Sequence, residues 1–182
     1  MDPDVQLRGL ATPFTGDHVK PAPSGKYGSY VPHFIVAQRL LLVVGPYSWR
    51  ITQTIRDASG TLTGCIGEIT CTVDGREVTV AGAGNVENPE AVTKAGNDLH
   101  ESDGERLKLA ESDAFKRAAM RLGCGLHLWA QNDYYLADRL RTRHKARVGD
   151  DAQESEPGTD TAESGEVGLP GLDDAGPPLF QT

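Results

Sequence analysis

Residues 61–80 read TLTGCIGEITCTVDGREVTV. The run from Thr61 to Val73 is dense in Thr, Ile, Cys and Val, side chains that fit a pleated, half-buried surface. Asp74-Gly75 interrupts it, and that dipeptide favours the positive backbone angles of a two-residue hairpin turn. Alternation resumes from Arg76 to Ala81, with Val78 and Val80 on one face. Upstream, Trp49, Ile51, Thr52, Thr54 and Ile55 form a further β-favouring run, closed by the turn residues Asp57-Ala58-Ser59-Gly60. Three runs joined by short turns predict an antiparallel meander. Downstream, the stretch from Gly82 to Ser102 is polar and long for a connection, which marks it as functional or mobile.

Helical patterns flank the meander. Phe34, Ile35, Ala37, Leu40, Leu41 and Val44 recur at helical spacing after Val31-Pro32 and stop at Gly45-Pro46, which predicts a helix over about residues 31–44. A second runs from Ser102 or Asp103 to Leu122 and opens on S-x-x-E (Ser102, Glu105), a capping-box pattern. At 100° per residue, its Leu107, Ala114, Phe115, Ala118, Ala119 and Leu122 share an apolar, mostly small face suited to lying close on a sheet. Arg106, Lys116, Arg117 and Arg121 share the other face, while Glu111 falls among the apolar residues without an evident reason. Asp133 to Val148 suggests a short basic helix. The expected architecture is α+β: a curved antiparallel sheet of three strands, or slightly more, packed with helices over residues 30–148. An irregular arm, residues 1–29, precedes it, and an acidic disordered tail, residues 149–182, follows.

Charge divides at the same boundary. Nine of the 26 acidic residues and none of the 18 basic ones fall in residues 149–182, so the tail carries −9 and the rest +1. The overall charge of −8 therefore does not exclude a nucleic-acid partner for the body. Hydrophobic content of 38% lies below the globular norm of roughly 45–50%. No apolar run approaches the ~20 residues of a membrane helix, and MDPDVQLRGL lacks the basic start and apolar core of a signal peptide. Cys65, Cys71 and Cys124 form no C-x-x-C pair. A cytoplasmic protein without membrane association is expected.

Catalytic signatures are sparse. The five His (18, 33, 100, 127 and 144) show no metal-ligand spacing, and no nucleophile elbow or phosphate-loop Lys is present. Gly82-Ala83-Gly84 reads as a bulge or tight strand exit rather than a phosphate cradle. The cysteines read as small core residues. Asp98, Glu101, Asp103 and Glu105 form the one dense acidic group, at a helix start where acids are expected from the helix dipole. No cofactor, metal or catalytic residue is assigned. The positive signal lies between Arg106 and Arg147, a local +6. It reads either as a solvated helix face or as a stripe of cations that contacts phosphates. Tyr30, Tyr47, Trp49, Trp129, Tyr134 and Tyr135 offer stacking surfaces and suit a core equally well.

The stretch AESDAFKRAAMRLG, Ala110 to Gly123, resembles the helix of the Rad-fifty-two-type single-strand annealing proteins, whose pattern reads D-G-L-K-R-A-L-R-x-F-G. Tyr30-Val31, Gly45 and Trp49 resemble that family's Y-I…F-G-x-x-G-W arrangement at the same spacing, and Gly82-x-Gly84 resembles its G-Y-G. These matches span about residues 20–128 in the family's order. The resemblance implies ATP-independent binding of single-stranded DNA and annealing of complementary strands, in recombination or repair, by a ring or arc of subunits. It carries phosphate contacts onto Lys116 and Arg117, with Lys20 where the family has an Arg. The family's third helical cation falls on Met120, with Arg121 beside it, and Arg121 is taken as the third contact. Chain size points to the short, phage-type members, active in the cytoplasm of a bacterial host. Two alternatives stand: a DNA-end-protecting module of this fold that does not anneal, and a metal-dependent nucleic-acid-processing enzyme built on the acidic group. Near the end, LDDAGPPLFQT resembles the partner-docking tip of bacterial single-stranded-DNA-binding proteins, which makes Asp173, Asp174 and Phe180 candidate contacts for a replication or recombination protein. The plainer reading of that tail is a solubilising segment.

Overall fold

The computed structural model describes residues 4–22, 28–86 and 102–154. Three strands, β3 (Ser48–Arg56), β4 (Leu62–Val73) and β5 (Arg76–Asn85), form an antiparallel sheet in sequence order. Asp74 (φ 47°) and Gly75 (φ 78°) both take positive φ at the β4–β5 turn, the hairpin geometry that the dipeptide favours. Register shifts between Ile51 and Gln53 and between Ile55 and Arg56 interrupt the β3–β4 ladder, and such bulges bend a strand. A two-stranded ribbon, β1 (Lys20–Pro21) with β2 (Ser29–Tyr30), lies outside this sheet.

The long helix α3 (Asp103–Arg121) packs across β4 and β5. Its start is capped as its sequence requires, the Glu105 amide donating to Ser102 Oγ at 3.3 Å. Ala110, Ala114, Ala118 and Ala119 are fully buried, and the strand opposite them supplies Gly82 and Gly84. A Cβ on Gly84 would stand 2.0 Å from the Ala110 carbonyl oxygen, and one on Gly82 would stand 2.1 Å from that of Ala114. The expectation that these glycines end the strand is therefore corrected. β5 continues through them to Asn85, and they let two backbones meet with no side chain between.

Helix α2 (His33–Val43) starts two residues later than its pattern predicts, because Val31 is buried in extended chain and Pro32 forms the N-cap. After α3 come the short α4 (His127–Ala130) and α5 (Leu136–Glu154), which extends six residues beyond Val148. The expected tail boundary at residue 149 thus falls inside a helix, and residues 155–182 lie outside the described residues. The main core joins Leu10, Phe14, Val36, Leu40, Ile69, Phe115 and Cys124.

The irregular arm is a second correction. Residues 5–11 form helix α1 (Val5–Ala11), and Leu10, Ala11 and Phe14 are buried. Its capping partner is remote. The amides of Gln6 and Leu7 donate to the two carboxylate oxygens of Asp74, at 3.0 and 3.4 Å, and the Asp74 amide donates back to Gln6 Oε1 at 2.5 Å. Asp4 in turn pairs with Arg143 and Arg147 of α5, at 2.9 and 3.0 Å. Arg39 of α2 completes the attachment, donating to the carbonyls of Gly9 and Thr12 and lying 4.0 Å over the Phe14 ring.

Candidate nucleic-acid interface

On α3, Lys116 and Arg117 are neighbours with different surroundings. Lys116 Nζ lies 6.0 Å from the Tyr30 ring centroid and makes no ion pair among the described residues. Tyr30 is paired across the ribbon with Lys20. The fold therefore brings Lys20 and Lys116 to the same tyrosine from separate parts of the chain. Arg117 is more constrained: its Nε donates to Asp113 Oδ2 at 3.0 Å, and its guanidinium lies 4.9 Å over the Trp129 ring. One carboxylate thus offsets part of the charge that Arg117 would present to a phosphate.

Of these groups, Tyr30, Asp113, Lys116 and Trp129 line a cavity of about 280 Å³. Val31, Val36, Cys124 and Leu128 supply its apolar lining, Tyr30 and Trp129 its aromatic surface, and Lys116 and Asp113 its charges. Tyr30 and Trp129 stay 40% and 56% exposed. His33 stands against Phe115, ring centroids 4.5 Å apart. Its pKa is lowered by burial, with the Glu111 charge opposing and that of Lys116 adding to the shift. Glu111, unexplained by the helical pattern, accepts a hydrogen bond from Trp49 Nε1 at 2.9 Å, while the Trp49 ring packs edge-on against Phe115. The carboxylate is thus kept within the apolar face by an indole that also needs a partner.

Two residues of the predicted basic face lie elsewhere. Arg106 is buried, at 5% exposure, because the close approach of α3 to the sheet covers a wider arc of the helix than its apolar residues mark. Arg121 lines a separate groove of about 290 Å³ together with Met120, Leu7, Val78, Leu126 and Leu136. Met120 is therefore placed by apolar neighbours rather than by the basic stripe. The rest of the local positive charge is partly paired, Arg141 with Asp138 and Arg143 and Arg147 with Asp4.

The remaining candidates take simpler places. All three cysteines are free and buried, and burial pushes the Cys124 thiol up to about 12. Asp103 pairs with Arg56 at 2.6 Å, whereas Asp98 and Glu101 lie outside the described residues, as do Asp173, Asp174 and Phe180. Among the described residues, no three His, Cys, Asp or Glu are grouped to hold a metal ion, and no helix is long and apolar enough to cross a membrane. What sequence reasoning missed is the cavity itself. The aromatic character of Tyr30 and Trp129 was its only visible sign. No protein-family model matches the chain, and no curated protein matches it.

Proposed function

We propose that this protein binds single-stranded DNA and anneals complementary strands without ATP, in recombination or repair, as a homo-oligomeric ring or arc in the cytoplasm of a bacterial host. The observation that carries the reading is the meeting of Lys20 and Lys116 at Tyr30, beside an exposed Trp129. Cations contribute the phosphate-dependent affinity for a strand, and exposed aromatic rings contribute stacking that does not depend on sequence. Arg117 contributes less than Lys116, being held by Asp113. Arg121 stands apart from this surface, on the apolar groove.

Assembly is supported by the outer face of α2. Phe34, Leu41 and Leu42 are 61%, 54% and 85% exposed, and the helix period places them along one side. The reaction needs no covalent step by the protein, because base pairing supplies the driving force once two strands are held together.

The test is an anisotropy titration of labelled single strands, paired with an annealing assay in EDTA and without nucleotide. Lys20→Ala and Lys116→Ala should each weaken binding uniformly across sequences and reduce the salt slope by about 0.7. Parent protein that binds strands and shields their ends from an exonuclease without accelerating annealing would favour end protection. Activity that EDTA abolishes would favour a metal-dependent enzyme. Sedimentation should show an assembly larger than one chain, reduced by Leu42→Asp.

A further inference from the structure

Phosphate recognition leaves the cavity beside Lys116 unexplained. Cations on an open surface suffice to hold a nucleic-acid backbone, yet here Lys116 borders a recess of about 280 Å³ with an apolar floor of Val31, Val36 and Cys124. Tyr30 and Trp129 line it and stay partly exposed. Trp129 is also held in place, since Asp113 fixes Arg117 and the Arg117 guanidinium lies over the indole. A positioned, solvent-facing aromatic ring beside an apolar recess suits a flat, weakly polar group better than it suits water.

We propose that this cavity takes one unstacked nucleobase of the bound strand, stacked on Trp129, with the adjoining phosphate at Lys116. The proposal rests on the single-strand reading of the site and adds the base as a ligand in its own right. A base carries a π-face for the indole and apolar edges for the floor, and its sugar–phosphate stays at the mouth, where Lys116 meets the charge. Because every base has a π-face, the contact is tolerant of sequence.

The experiment compares two probes on the full chain: an oligothymidylate and an oligomer of equal length made of abasic units, with identical phosphates. The parent should bind the oligothymidylate about tenfold more tightly. Trp129→Ala should bring the ratio close to one, while Trp129→Phe keeps most of the preference. Ser29→Phe, which fills the mouth from an exposed strand residue, should act like Trp129→Ala without touching the indole. Equal affinity of the parent for both probes overturns the base site and leaves the phosphate reading intact. A preference that survives both Trp129→Ala and Ser29→Phe overturns it as well. Failure of the parent to bind either probe overturns the single-strand reading itself.

Discussion

The cavity at Lys116 and the groove at Met120 have nearly the same volume, about 280 and 290 Å³, and their two residues are one turn apart on the same helix. The first is bordered by a ribbon strand and by α4, which bring Tyr30 and Trp129; the second is bordered by α1 and α5, which bring Leu7 and Leu136. Position on α3 therefore does not decide environment. The elements laid against the helix do, and they make one recess aromatic and charged and the other apolar. Leu7 and Leu136 also line an adjoining recess of about 540 Å³ edged by Arg139 and Arg143, which extends the apolar side.

The largest expected effect removes both recesses together. Gly84→Ala places a Cβ against two backbone atoms of α3, 2.0 Å from Ala110 O and 2.3 Å from Ala114 N. Neither can move without shifting the helix, so a loss of about 3 kcal/mol is expected. Urea denaturation measures it, and near-parent stability would refute the close seating of α3. A sharper division of the two recesses comes from Met120→Arg. A charge set among Leu7, Leu126 and Leu136 should cost about 1–2 kcal/mol of stability, with single-strand affinity unchanged. Tighter binding by that variant would mean that the two recesses form one continuous DNA surface.

How far the sequence alone could anticipate this division depends on where each element's partners lie. The Asp74-Gly75 hairpin and the Ser102 cap were legible because their determinants are local: a dipeptide in one case, four consecutive residues in the other. Helix α1 was not, because the groups that receive its first amides belong to Asp74, far along the chain. Glu111 needed Trp49, and the burial of Arg106 needed the Gly82–Gly84 contact to be seen from the helix side. Of the candidate site, Lys116 and Arg117 came from helical angle and resemblance together and Lys20 from resemblance alone; Lys20 and Lys116 stand near Tyr30, and Arg117 near Trp129. Arg121 shared their helical face while the family pattern fell on Met120, and a helical angle records direction from an axis and nothing of what stands opposite.

A smaller effect uses pH, since two histidines, His33 and His127, are half-buried. His33 feels the charge of Lys116, and His127 accepts from the Phe14 amide at 3.2 Å. Burial lowers both below the ordinary 6.5, with Arg39 adding to the shift at His127. The unfolded chain then binds these protons more readily than the folded one. Stability should fall as pH drops through 6.5 towards the lowered values, with no contribution from these groups above that window. Melting curves in this range should flatten in His127→Gln, and an unchanged slope would acquit that histidine. The smallest effect is expected for Arg121→Ala, within about 0.5 kcal/mol of parent stability because the side chain is exposed. Its salt slope should match the parent's, and a reduced slope would return Arg121 to the interface.

The pairing of Asp4 with Arg143 and Arg147 has a consequence for how the chain is made. Asp4 and Arg147 are separated by 143 positions, so at roughly 5–20 residues per second a ribosome needs on the order of 10–30 s between them. During that interval α1 has the hairpin turn to dock on once Asp74 emerges, but Gly125 and His127, against which Phe14 packs, do not exist until late in synthesis. Phe14 is thus translated long before two of the residues it packs against. Nascent chains halted before α3 should accordingly display this greasy segment to chaperones and proteases, and full-length chains should withdraw it.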